Sequence, residues 1–278
     1  MEKLRLKYGY YIIAPIFLIL LVFSVLFNMS LDRLESIFYD YGLRVTHKNM
    51  NLIKNFAFVE IDQLSSDYFG DYYPYSNEVN IKAIKNIIKG KPRAIVILAD
   101  FRDFNRDDRN ILKSLRKEVS RFESGGGKIF FKRKIDSWGI SEIPKELLKF
   151  NHFPSLIHQD SNVFGKDGVT RRAILTINGN ETLEMALARF INPMLQLNSI
   201  RGVYYNEIAD ANFTLFKYDK NLISNDDLIK ISFFKVATST DYVENFNKKI
   251  VVVGTKFSSN AGDFRLAPGK VRISQNEI

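Results

Sequence analysis

Apolar positions are concentrated at one end of this chain and periodic in the rest. From Tyr8 to Leu31 no charged residue occurs. A helix rising about 1.5 Å per residue needs roughly twenty such residues to cross a hydrocarbon core about 30 Å thick. The run therefore predicts a membrane anchor at residues 8–31, with Phe17, Leu20, Phe23 and Phe27 in its apolar body. Tyr8, Tyr10 and Tyr11 stand where an aromatic belt meets the headgroups. Lys3, Arg5 and Lys7 precede the run, opposed only by Glu2. That asymmetry predicts a cytoplasmic stub at residues 1–7 and an outer location for residues 32–278. A cleaved leader has an apolar region of about 7–15 residues and a small-residue cleavage site, neither of which fits this run.

Beyond the anchor, Leu31, Leu34, Ile37, Phe38 and Tyr41 recur at helical spacing, which predicts an amphipathic continuation. Phe56–Asp62 reads as a buried strand ending on an acid. Ile81, Ile84, Ile87 and Ile88 mark one face of a helix over Asn80–Lys89, stopped by Gly90, Lys91 and Pro92. Ala94–Asp100 is a second apolar strand, so the order strand, helix, strand predicts a parallel pair covered by a helix. Ile111, Leu112, Leu115 and Val119 predict a helix over Asp107–Phe122, and Lys128–Lys132 a further strand. Gly125–Gly127 follow a helix instead of opening one, so they read as a helix stop and not as a phosphate loop. Asp167-Gly168 signals a turn, Arg172–Ile177 a strand and Thr182–Phe190 a helix. Residues 201–235 read as mixed strands and loops. Ile250–Gly254 is the most β-branched strand of the chain. The fold class predicted is α/β: a mixed, largely parallel sheet flanked by helices, in one domain behind one N-terminal transmembrane helix.

Composition narrows the function. With 46% hydrophobic and 26% charged residues the chain has material for a core. It has no cysteine, which excludes disulfides, thiolate metal sites and a cysteine nucleophile. The net charge of +9 is carried by dispersed Lys and Arg, without the basic and aromatic interleaving that single-strand binding needs, so no nucleic-acid partner is expected. The three histidines, His47, His152 and His158, form no zinc-binding spacing. Gly-x-Ser-x-Gly, Walker and dinucleotide patterns are absent; no cofactor and no enzymatic activity are expected.

The candidate site residues are acids at strand ends. Asp62 and Asp100 fall at the C-terminal ends of two predicted parallel strands, the edge where open α/β sheets bind ligands. Asp167 and Asp263 lie in loops able to reach that edge, and such carboxylates suit a divalent ion or a polar ligand. The competing reading makes each Asp a helix cap or turn residue. Arg171, in Asp167-Gly168-Val169-Thr170-Arg171-Arg172, could present a bidentate anion site or pair internally with a neighbouring acid.

Several segments in order resemble the type-two CHASE domain, an extracytoplasmic sensor of bacterial membrane signalling proteins. These are Tyr39–Val45, Phe58–Asp62, Asp71–Ile84, Arg93–Phe101, Gly165–Leu175, Glu181–Arg189 and Lys248–Pro268. The chain departs from the family's pattern at Tyr73, Tyr75 and Asn77, where Trp and Arg are usual, and at Ala267 before Pro268. The resemblance implies sensing: a ligand selects one conformer and the helix at 31–45 passes the change to the anchor. Because the sequence ends at Ile278, output is expected to pass through a partner. Expected partners are membrane lipid around the anchor, an unidentified small ligand, and another membrane signalling or envelope protein or a second copy of the chain. The alternative is a structural or assembly subunit of a bacterial envelope complex; an envelope hydrolase is a third class.

Overall fold

The computed structural model describes residues 15–22, 54–70, 73–105, 108–136, 139–140, 145–155, 172–215, 228–256, 264–267 and 271–274. Its centre is a sheet built from β1 (Phe56–Ile61), β2 (Ala94–Ile97), β3 (Lys128–Asp136), β4 (Gly139–Ile140), β5 (His152–Ser155), β10 (Ile229–Ser232) and β11 (Ile250–Thr255). The spatial order is β10-β1-β11-β2-β3, with β4 and β5 both pairing the far side of β3. Every pairing is parallel except β3 with β4. The mixed, largely parallel sheet predicted from the sequence is therefore present. One detail differs: β1 and β2 are parallel but not adjacent, because β11 inserts between them.

Alternation along the strands divides the interior in two. Ala57, Val59, Ile61, Ile95, Ile97, Ile129, Phe131, Val251 and Val253 face one side. There they meet α2 (Asn77–Lys89), α3 (Asp108–Ser124) and α5 (Phe233–Thr238), with α1 (Gln63–Phe69) beside them. Ala94, Val96, Phe130, Ile250 and Val252 face the other side, where α4 (Leu183–Ile191) covers them with Leu183 and Ala186. The asymmetry has a topological cause. The crossovers β1 to β2, β2 to β3 and β10 to β11 all step the same way along the sheet. Right-handed connections that step one way place their helices on one face. The opposite face is left to the segment between β5 and β10. It contributes α4 and a second, antiparallel sheet in the order β7-β6-β9-β8, made of β6 (Arg172–Ile177), β7 (Asn180–Glu181), β8 (Val203–Asn206) and β9 (Ala211–Leu215). A two-stranded ribbon, β12 (Phe264–Ala267) with β13 (Val271–Ser274), follows β11.

Local signals explain most boundaries. Ser76 caps α2 through Val79 N, which starts that helix at Asn77, three residues before the predicted start at Asn80. Thr182 caps α4 and also anchors it to β6, its hydroxyl donating to Ile174 O at 2.6 Å. The Gly125–Gly127 turn stops α3 as predicted. Gly126 adopts φ +89°, and a Cβ on Gly127 would lie 2.3 Å from the Phe122 ring.

Residues 15–22 are helical and exposed, with Phe17 at 62% and Leu20 at 39%. Tyr8, Tyr10, Tyr11, Phe23, Phe27 and the predicted helix at 31–45 lie outside the described residues. Among the described residues no helix is long and apolar enough to cross a membrane.

Candidate functional site at the carboxyl edge of the sheet

Six parallel strands end on one edge, and the N-termini of α1, α2, α3 and α5 open there, because each follows a strand or leads back antiparallel to one. Asp62 leaves β1 in extended geometry and caps α1. Its Oδ1 accepts from Ser65 N at 3.0 Å, Ser65 Oγ at 2.7 Å and Ser232 Oγ at 2.7 Å. Ser65 Oγ in turn accepts from Phe234 N at 3.1 Å. The carboxylate thus joins the β1–α1 turn to the β10–α5 turn.

Asp100 stands differently. It follows β2, its side chain is 60% exposed, and its Oδ1 lies 2.9 Å from Lys132 Nζ, whose side chain is only 7% exposed. The Tyr73 hydroxyl accepts from the Asp100 backbone N–H, and Arg102 donates through Nε to Pro74 O across the cis Tyr73–Pro74 turn. Phe101 stacks on Phe104 with centroids 5.8 Å apart. Beneath this turn, Asn77 Nδ2 donates to Asp108 Oδ2 at 3.1 Å, and Asn80 Nδ2 donates to Tyr75 O at 3.2 Å. Tyr75, buried at 1% exposure, shares a hydrogen bond of 2.9 Å with Ser66 Oγ.

The structure does not join the two acids by a contact. β11 separates their strands, so the strand axes are two spacings, roughly 10 Å, apart. Lys256, just past β11, occupies the interval and pairs with Glu60 at 3.0 Å. Asp167, Arg171 and Asp263 lie outside the described residues. Among the described residues no group of three or more His, Asp or Glu could hold a metal ion.

Sequence reasoning missed Lys132, Glu60 and Lys256. A lysine directly after the apolar triplet Ile129-Phe130-Phe131 looks like a strand flank, and only the pairing of β3 with β2 brings it to Asp100. It also missed two titratable groups around β5. His152 hydrogen-bonds Leu147 O at 2.8 Å. Burial lowers its pKa, the bond to Leu147 opposes that shift, and Arg133 adds to it. Glu184, on an exposed position of α4, turns its carboxyl onto the buried Ser155 hydroxyl at 2.7 Å. Crowding of protein around that carboxyl raises its pKa, although the bonds from Ser155, its own N–H and Thr182 pull the other way.

The profile of the CHASE2 domain matches residues 17–278, nearly the whole chain. The chain belongs to the CHASE2 family. CHASE2 domains are extracytoplasmic sensors, so the resemblance carried by the strand-end acids and the Tyr-Pro turn identified the family correctly. No curated protein and no solved structure matches this CHASE2 domain.

Proposed function

We propose that this CHASE2 chain is a membrane-anchored sensory module of the bacterial envelope, inserted through residues 8–31 with its N-terminus in the cytoplasm. Family membership across residues 17–278 carries the reading, and the exposed apolar helix at 15–22 supports the anchor. A ligand at the carboxyl edge binds one conformer better than another, and the anchor transmits the resulting shift to a partner or effector. Of the acids at that edge, Asp100 is the better ligand contact, because Asp62 Oδ1 already accepts three internal donors whereas Asp100 is exposed on one lysine. The exposed side chains of Met194, Tyr204, Tyr205 and Ile208 favour a second reading, a subunit that holds an envelope partner.

The test is a thermal-shift screen of the detergent-solubilised full chain against small molecules, peptidoglycan fragments and divalent ions, with Asp100→Asn in parallel. A ligand of the native state raises the melting temperature by mass action. A shift lost in D100N supports the sensor. No shift with any compound, together with stable co-purification of another envelope protein, moves the assignment to the assembly subunit.

A further inference from the structure

Two buried oxygens beneath the Tyr73–Tyr75 turn have no hydrogen-bond partner among the described residues. Asn77 Oδ1 and Asn80 Oδ1 are both orphaned, and each residue is only 4% exposed. Rotating the amides does not relieve them. Turning Asn77 over would aim its oxygen at the Asp108 carboxylate, to which its nitrogen now donates, and turning Asn80 over would aim oxygen at Tyr75 O. Both orientations are therefore fixed, and no donor among the described residues reaches either oxygen. The two residues are three apart on α2, so their Cβ atoms are about 5–6 Å apart on one helix face.

The third member of the cluster is negative. Asp108, 8% exposed, accepts from Asn77 Nδ2 at 3.1 Å and from Asn105 N at 2.9 Å, both neutral donors. No Lys or Arg among the described residues pairs with it. Three acceptors, one of them charged, thus stand at the joined N-terminal ends of α2 and α3, one layer beneath exposed Asn105. A group with three donors, no acceptor and a positive charge matches this set, and a primary ammonium is such a group. A divalent ion takes six to eight oxygens, more than the cluster offers.

We propose that Asn77, Asn80 and Asp108 form a site for the ammonium group of a small amine, free or as part of an amino acid. The inference rests on the sensor reading and gives that sensor a ligand class. The test is the melting temperature of the full chain in detergent, titrated at constant ionic strength with methylammonium chloride, tetramethylammonium chloride, L-alanine and calcium chloride. Methylammonium should raise the melting temperature with the logarithm of its concentration, and tetramethylammonium, which has no N–H, should not. Asp108→Asn keeps an acceptor for Asn77 but removes the charge, and should weaken binding about tenfold. If D108N does not fold, Asn80→Met removes one acceptor, keeps the carboxylate and should weaken binding in the same sense. A shift with L-alanine as well as methylammonium supports the site and points to an amino acid. L-Alanine acting where methylammonium does not would place recognition on the carboxylate and overturn the proposal. So would equal shifts with the two ammonium salts, a shift with calcium alone, or no shift with any of them, the last meaning that buried water satisfies both oxygens. Failure here, beside a melting shift from some other compound, removes the amine site and leaves the sensor standing.

Discussion

Replacing Asp62 by Ala separates a structural acid from a functional one. The substitution removes the cap of α1, which typically costs about 1 kcal/mol. It also leaves Ser65 Oγ and Ser232 Oγ without their common acceptor. Those hydroxyls lie 3.1 Å apart and can bond each other, so only one donor is stranded. A stranded, part-buried donor costs about 1–3 kcal/mol. The sum is about 2–4 kcal/mol. For a domain of this size each kcal/mol moves the melting temperature by about 2–4 °C, so D62A should melt roughly 4–16 °C below the parent. Asp62→Asn retains an oxygen for the same donors and should lose about half as much. The assay is thermal unfolding by circular dichroism of both variants and the parent in one detergent buffer. D62A melting within about 1 °C of the parent would refute the capping account. D62A melting above it would show that the carboxylate is held at a cost to stability, as a ligand-binding acid is.

Three further outcomes follow from the same geometry. At the Asp100–Lys132 pair the loss should be unequal. Lys132→Met leaves an acid that water can solvate and should cost under about 1 kcal/mol. Asp100→Asn weakens the partner of a nearly buried ammonium and should cost more, about 1–3 kcal/mol, in urea titrations; equal losses would show that the lysine is effectively solvated. Gly127→Ala drives a methyl into the Phe122 ring and should cost about 1–3 kcal/mol, much of it recovered in Gly127→Ala/Phe122→Leu; no recovery would put the strain in the backbone. For His152 the native pKa lies below the unfolded one, so the unfolded state binds more protons in that interval. Its contribution to stability is complete above the ordinary histidine range and is lost as pH falls through it. Melting temperatures between pH 7.5 and 5 should fall less steeply in His152→Gln than in the parent.

Strands with a dense apolar run were legible because burial on both faces leaves no polar position before their ends, as in Ala94–Ile97 and in Ile250–Thr255, where only the last residue is polar. Helix α1 was not, because Gln63–Phe69 carries no apolar stripe; its ends are set by the Asp62 cap and by Gly70 at φ +61°. The second sheet was blurred into mixed strands and loops because Val203–Asn206 and Ala211–Leu215 are short and largely half-exposed. The insertion of β11 between β1 and β2 could not be read locally, since neighbours in a sheet are chosen by long-range pairing. The same limit hid the site. Asp62 showed both of its readings in the sequence, but its third donor, Ser232, is 170 residues away, and the lysine opposite Asp100 arrives on another strand.

The position of β11 also governs how the molecule is made. Residues 250–255 fill the gap between strands formed by residues 56–61 and 94–97. Until the ribosome has delivered those late residues, β1 and β2 each present an unpaired edge. At about 5–20 residues per second, the chain from β2 to β11 takes roughly 8 to 30 s to synthesise. Open parallel edges are slow to pair and prone to wrong pairing during that interval. A chain cut short before residue 250 lacks a middle strand, not an end, and has no smaller sheet of the same order to fall back on. Premature termination or clipping in this region should yield degraded fragments and no shortened but functional sensor.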